Sequence, residues 1–532
     1  MAVDKRVLQN IIERINLGDL VTRSAARAPD QLAIVDGARR ISYGDFNGWV
    51  NRTAHGLVQC GYRRGGALAL MATNCAEFLI AYFACAKLGV VCVPINLFWR
   101  HNELAYVLDH AKARGIVVEA TLIEQMMTGL PRVPAVRDVF VIEPPDRPGS
   151  VDLDRPGWQS FEALGRGMAS DEPMAEVGDR DPMSYLYTSG TTSAPKGVVG
   201  SHLAIYLGSL GNVIDCGMRQ SDRLAAMMPL FHTGQLNAFC TPAIAVGATN
   251  VLMRGFEPAA LLDIIEREGI TFTFGLPMMY RAMLDEQERK PRNISSLRYA
   301  TYAMAPMPDT ELQRALKIMQ CDLALMFGQT EMSPTTTLLR PHHQKTHSGA
   351  VGTPCINVQV AIMDEGGNLL PPGEKGEIVY RSPQVLTGYL RNEAATDEAF
   401  RHGWFHSGDA GYFGADGVLW FEDRFKDVIK SGGENVASLE VEKALYETEP
   451  RIQETAVVGL PHERWGEAIT AVVVPKPGAK IDEAELLTRL RHHLSPFKCP
   501  KAVILAEALP KTATGKIQKH ELRKLYMAHY NR

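Results

Sequence analysis

Apolar residues recur with two alternating periods along the first four hundred positions. Leu104, Val107, Leu108 and Ala111 fall on one helical face, Gly115 offers a stop, and residues 116–118 read as a strand. Pro258 opens another helix that turns Leu261, Leu262, Ile264 and Ile265 inward; Gly269 closes it, and residues 270–274 are again strand-like. Such alternation implies largely parallel sheets with helices packed on them. The uncharged run 78–86, between Glu77 and Lys87, is far shorter than the ~20 residues of a membrane-spanning helix and predicts a buried one. Around Asp416-Gly417 the texture changes to a hairpin, with residues 411–413 on one side and 418–422 on the other. Beyond Lys426, short strands at 455–459 and 469–474 and a helix at 483–494 predict a small α+β domain. The expected division is a large N-terminal α/β domain over 1–425, with an additional β-rich part, and a small mobile C-terminal domain over 426–532. No internal repeat, low-complexity tract or long linker is visible.

A chain of 532 residues is too long for one simple core. Its 46% hydrophobic and 22% charged residues are ordinary for a globular protein. A net charge of −4 gives no basic footprint for nucleic acid or an anionic membrane. Charges scattered through the first twenty residues leave no apolar signal core, so a cytoplasmic location is expected. The nine cysteines are dispersed and never spaced as Cys-x-x-Cys, which argues for small core residues in a reducing compartment.

Residues 185–202, YLYTSGTTSAPKGVVGSH, carry the clearest chemical signal. A short strand-like run ending at Thr188 leads into Ser189, Gly190, Thr191, Thr192 and Ser193, which combine hydroxyls with a flexible glycine. Backbone N–H groups and hydroxyls supply neutral donors for phosphate oxygens, and Lys196, between the Pro195 turn and Gly197, supplies a point charge. An ordinary polar turn uses the same residue types. A Walker loop does not fit, because it needs Gly-Lys followed by Ser or Thr and here the order is Lys196-Gly197-Val198.

The order of residues in this loop resembles the signature loop of the adenylate-forming superfamily: acyl-CoA synthetases, aryl-CoA ligases, luciferases and nonribosomal adenylation domains. FGQTE at 327–331, WFHSGDAGY at 404–412, DRFKDVIKSGGENV at 423–436 and PKTATGKI at 510–517 resemble that family's later motifs in the family's order. Ser193 departs from the pattern, standing where the family usually has Gly, which implies a slightly less mobile loop.

The resemblance implies a set of roles. Joining a carboxylate to the α-phosphorus of ATP brings two anions together, so cations must converge. Thr188, Ser189, Gly190, Thr191, Thr192 and Lys196 would hold phosphates, and Glu331, with Thr188 and Thr330, would position Mg²⁺, which needs few protein carboxylates. Asp409, read as lying in a glycine-flanked turn, would accept the ribose hydroxyls beside Arg424. Adenine would lie against Ala303, Met304 and Ala305 with Phe327 stacked on it, and Gly328 and Gln329 belong to the same nucleotide contact. Lys516 would bridge the acyl carboxylate and the α-phosphate, delivered by a cap turning about Lys426; Ser431, Gly432 and Gly433 would then replace it beside the pantetheine of CoA. His232, Phe231 and Met304 would line the acyl pocket. Ala303-Met304 stands where Gly followed by Gly or Ala is commoner, which implies a narrower or shorter pocket. Met227, Met228, Met278, Met279, Met304 and Met307 read either as a deformable pocket or as a methionine-rich core.

The expected activity is an ATP-, Mg²⁺- and CoA-dependent acid:CoA ligase. It forms acyl-AMP from a fatty or other apolar monocarboxylate, aryl acids being open, and then acyl-CoA. Its expected catalytic set is Lys516, Thr188, Glu331, Lys196 and His232, with Thr188 and Glu331 at the metal. A stand-alone adenylation enzyme loading a carrier-protein phosphopantetheine shares every motif. A catalytically silent nucleotide binder would be expected to lack Lys196, Glu331, Asp409 or Lys516, and all four are present. Partners are small molecules, not nucleic acid or an integral membrane, with a homodimer left open.

Overall fold

The computed structural model describes residues 4–144, 149, 151–188, 195–304, 307–425, 427–432, 434–512 and 515–530. The helix Ala76–Leu88 is buried along all 13 of its residues, because the apolar run has no polar face to offer to water. Lys87 near its end is buried as well. Its ammonium donates to Asn47 Oδ1 at 2.7 Å, Asn51 Oδ1 at 2.6 Å and Glu172 Oε2 at 2.6 Å, which offsets the cost of removing the charge from water.

Two large sheets flank this core. The eight-stranded sheet has a run of parallel strands, Pro182–Thr188, Val91–Pro94, Ala67–Met71, Ala113–Glu119, Asp138–Ile142 and Trp158–Ser160, in that spatial order. Lys196–Ser201 and then Gly388–Tyr389 add antiparallel strands at one edge. The thirteen-stranded sheet has its own parallel run ending in Tyr299–Ala303 and Asp322–Gly328. It continues as an antiparallel extension that includes Phe405–Phe413 and Leu419–Arg424. The parallel expectation therefore holds inside both sheets, and antiparallel strands at the edges and in the extension depart from it, some joined by hairpins and some by distant segments such as Gly388–Tyr389.

Gly115 is a correction. It lies inside the strand Ala113–Glu119, and the helix before it ends at His110, followed by Lys112 at φ +51°. A Cβ at Gly115 would sit 2.1 Å from the Tyr62 hydroxyl, so the glycine serves close packing instead of stopping a helix.

The C-terminal sheet has five strands among the described residues, with Ile452–His462 and Gly466–Pro475 forming its long hairpin. Alternate strand residues serve opposite faces. Val457, Ile469, Ala471 and Val473 pack with Val441, Leu445, Leu486 and Leu490 of two helices, and Ala456, Val458, Leu460 and Val472 pack with Leu509 and Leu522. The helix expected over 483–494 is shorter, Glu483–Leu490. His492 and His493 tighten into i→i+3 bonds to Arg489 and Leu490, as the chain prepares for Pro496.

Candidate active site

The strands Pro182–Thr188 and Lys196–Ser201 are antiparallel, and Thr188 is the direct partner of Lys196. The loop between them, with Ser189, Gly190, Thr191 and Thr192, lies outside the described residues. A third strip of chain stitches this hairpin to Glu331. Leu390 N–H donates to Gly197 O at 2.8 Å, Thr387 N–H to Val199 O at 2.9 Å, and Leu386 N–H to Glu331 O at 2.7 Å. The packing at Gly197 is close: a Cβ would lie 3.1 Å from the Tyr187 ring and 3.2 Å from Leu390 Cβ. Within the strip, the Tyr389 ring sits 5.1 Å from Lys196 Nζ, and its hydroxyl donates to Glu331 Oε1 at 3.1 Å. Glu331 and Thr330 belong to a short 3-10 turn, Thr330–Met332.

Ala303 ends its strand, and Met304 follows at φ +71°, 39% exposed; Ala305 and Lys426 are outside the described residues. Phe327 packs on Phe421 with ring centroids 5.2 Å apart. Gly328 passes so close to Pro334 that a Cβ would lie 2.0 Å from its carbonyl oxygen. Next to it, Gln329 Nε2 is buried with no hydrogen-bond partner among the described residues.

Asp409 is not in a turn. It lies within the strand Phe405–Phe413 and faces Arg424 directly across the ladder. Against the strand Gly376–Arg381, the register passes from Val379↔His406 to Glu377↔Ala410, so a bulge takes up the extra residues around Ser407 and Gly408. Gly408 adopts φ +72°, and Ser407 Oγ accepts the Asp409 N–H at 3.0 Å. The glycines that suggest a turn in the sequence make this bulge. Arg424 Nε lies 3.0 Å from Asp409 Oδ1.

The loop bearing Lys516 closes on itself through Thr512 N–H to Lys516 O at 2.7 Å and Gly515 N–H to Thr512 O at 2.9 Å. It rests on the N-terminal part of the chain: at Gly515, φ +79°, a Cβ would lie 2.8 Å from Leu276 Cδ1. His232 lies within its reach. Burial first, and then the Lys516 charge, push the imidazole down to about 4. His232 Nδ1 accepts the Gly234 N–H at 3.1 Å, which puts the proton of the neutral ring on Nε2. Phe274, stacked on Phe239 at 4.3 Å, lies against Gly234, and the neighbouring Phe231 is buried, as is Leu276. Met227, Met228 and Met307 are buried core residues, whereas Met278 and Met304 are exposed.

Ser431 and Gly432 belong to the C-terminal sheet. Ser431 is buried and pairs with Gly466, and Gly432 N–H donates to Trp465 O at 2.8 Å; Gly433 is outside the described residues. Arg464 and Lys501 each lie 4.8 Å from the Trp465 ring. On either side of position 426, Asp423 Oδ2 accepts the Ser438 N–H at 2.6 Å, and Arg523 pairs with Asp427 at 2.8 Å. Tyr389, Leu276 and Trp465 escape a reading of the sequence, because nothing in their neighbourhoods marks a tyrosine, leucine or tryptophan as other than core.

Among the described residues no three His, Cys, Asp or Glu side chains are grouped to hold a metal; one carboxylate, Glu331, stands across Tyr389 from Lys196. That donor set fits a magnesium ion that keeps most of its water, and the orphaned Gln329 amide fits a site whose acceptor arrives with a ligand.

The model for the AMP-binding enzyme matches residues 21–390, and that for the AMP-binding enzyme C-terminal domain matches 440–516. A feruloyl-CoA synthase from an Amycolatopsis species is 34% identical over 519 residues, covering 96% of this chain and 99% of that protein. A long-chain-fatty-acid–CoA ligase of Mycobacterium tuberculosis is 32% identical over 515 residues, with coverage of 96% and 99%. ATP-bound MatB from Rhodopseudomonas palustris superposes with a TM-score of 0.87 at 29% identity, covering 97% of this chain and 100% of that one, and its apo form with 0.79. The chain belongs to the AMP-binding enzyme family, in the acyl-CoA synthetase branch of the adenylate-forming superfamily, and is an AMP-forming acid–thiol ligase.

Proposed function

We propose that this acid:CoA ligase acts on an apolar monocarboxylate, aliphatic or aryl, and that the arrangement described is the one that forms acyl-AMP. The observation that carries this reading is the seat of the Lys516 loop on Leu276, beside His232 and roughly three hundred residues from the phosphate hairpin. A lysine on a flexible stem suits a transient charge bridge between carboxylate and α-phosphate. Lys196 serves the phosphates, Asp409 and Arg424 the ribose, and Phe327 and the backbone of 303–305 the adenine. Glu331 and Thr188 would hold a magnesium ion, which would supply charge neutralisation at the phosphates. His232, with Nδ1 occupied by the Gly234 N–H, keeps an N–H on Nε2 and would border the acyl pocket with Phe231 and Met304. Rotation about Lys426 then exchanges the Lys516 loop for the 431–433 segment, and Trp465 with its two flanking cations comes with that segment. On this reading the domain boundary of the movement falls at 425/426.

The test is a panel of carboxylic acids scored for acid-dependent exchange of labelled pyrophosphate into ATP. Exchange without thiol, followed by AMP and acyl-CoA once CoA is added, is expected. ADP and phosphate as products would overturn the reading, and turnover only with a phosphopantetheinyl carrier would move it to the carrier-loading class.

A further inference from the structure

We infer that Tyr389 is a positioning residue of the nucleotide site, whose ring face holds the Lys196 ammonium and whose hydroxyl holds the Glu331 carboxylate, so that cation and anion are kept apart and both remain available to a magnesium–nucleotide complex. This assignment rests on the reading of Lys196 and Glu331 given above.

Lys196 and Glu331 are opposite charges reached through one side chain. Left to themselves, such groups form an ion pair, and a paired lysine and glutamate present little charge to an incoming polyphosphate. Tyr389 gives each a different partner. The Lys196 Nζ lies 5.1 Å from the ring, within the ~6 Å over which a cation is attracted to an aromatic face, and that weak hold is easily exchanged for phosphate oxygens. The hydroxyl donates to one oxygen of Glu331 at 3.1 Å, a charge-assisted bond that fixes the carboxylate's orientation.

The backbone makes Tyr389 a rigid strut. Its own N–H donates to Thr396 Oγ1 at 2.9 Å, Leu390 and Thr387 bond to Gly197 and Val199 on the phosphate-hairpin strand, and Leu386 bonds to the Glu331 carbonyl. The two ends of the strut are therefore tied to the two elements whose side chains it separates.

Calorimetric titration of ATP into the full-length protein, in EDTA and in a series of Mg²⁺ concentrations, tests this. Tyr389→Phe keeps the ring and removes the hydroxyl. It is expected to bind ATP in EDTA within about twofold of the parent while losing about tenfold of the Mg²⁺-dependent tightening. Tyr389→Leu is expected to weaken ATP in EDTA as well, by about three- to tenfold. In a Glu331→Gln background the Tyr389→Phe effect should disappear, since the hydroxyl acts through that carboxylate; a general packing defect would persist. Mg²⁺-dependent tightening in Tyr389→Phe equal to the parent's overturns the proposal while leaving the nucleotide site intact. A parent protein that binds no ATP overturns the site reading itself.

Discussion

Arg424 and Asp409 face each other across an antiparallel ladder, with Nε 3.0 Å from Oδ1 and Asp409 only 3% exposed. The guanidinium holds the carboxylate in one orientation, and the bulge at Ser407 and Gly408 aims it. A fixed carboxylate can accept two neighbouring hydroxyls, whereas an amide offers only one acceptor oxygen. Asp409→Asn is therefore expected to raise the KM for ATP by about tenfold and to erase most of the parent's preference for ATP over 2′-deoxy-ATP. Steady-state pyrophosphate exchange with both nucleotides measures this. An unchanged preference would remove Asp409 from the ribose.

Met304 occupies the left-handed region at φ +71°, which costs a residue with a Cβ roughly 1–2 kcal/mol. Glycine has no such penalty, so Met304→Gly should not lower the unfolding midpoint despite the lost side chain. The same change should extend the acceptable acids toward longer or bulkier ones. A variant of parental stability with an unaltered acid profile would show that Met304 does not border the acyl pocket.

Lys516→Ala should slow acyl-AMP formation by orders of magnitude, each ~1.4 kcal/mol of lost transition-state stabilisation being tenfold, and nearly spare transfer from supplied acyl-AMP to CoA. It has a second consequence. The Lys516 charge helps hold His232 at about 4, so its removal should raise the His232 value toward that of an ordinary imidazole. Titration of the His232 ring proton by NMR in parent and variant checks this; a value that fails to rise means that the loop does not sit beside the ring.

Two histidines tie stability to pH. His232 and His202 are both pushed down to about 4, chiefly by burial. The unfolded chain binds a proton at each near 6.5 and the folded chain does not, so stability is complete above pH 6.5 and is lost as the pH falls from there toward 4. The slope across that window is up to about 1.4 kcal/mol per pH unit for each histidine. Urea midpoints at pH 7.5 and 5.5 should drop accordingly, and His202→Gln should remove part of the drop. Equal midpoints at the two pH values in the parent would refute the neutral state of both rings.

Much of the architecture is legible from local pattern. The helix Pro258–Glu268 runs from its proline to Gly269 at φ +61° as the sequence indicates, because a proline start and a left-handed glycine stop are decided within a few residues. The buried helix Ala76–Leu88 is legible for the same reason. So is membership of the family, since each of its motifs is a contiguous run of residues. Local pattern fails where a distant partner decides. Gly115 belongs to a strand because Leu68 and Asp138 of the neighbouring strands pair with it, and Asp409 because Arg424 does.

The alternating α/β plan and the small α+β end of the chain follow from the amino-acid order alone, because both depend on periodicity and turn chemistry. The fold alone sets the Tyr389 ring beside Lys196 and its hydroxyl on Glu331, packs the Lys516 loop on Leu276 near His232, and bonds Gly432 to Trp465. Those contacts join segments tens to hundreds of residues apart. A tyrosine, a leucine or a tryptophan in such a place looks, along the chain, like any other core residue.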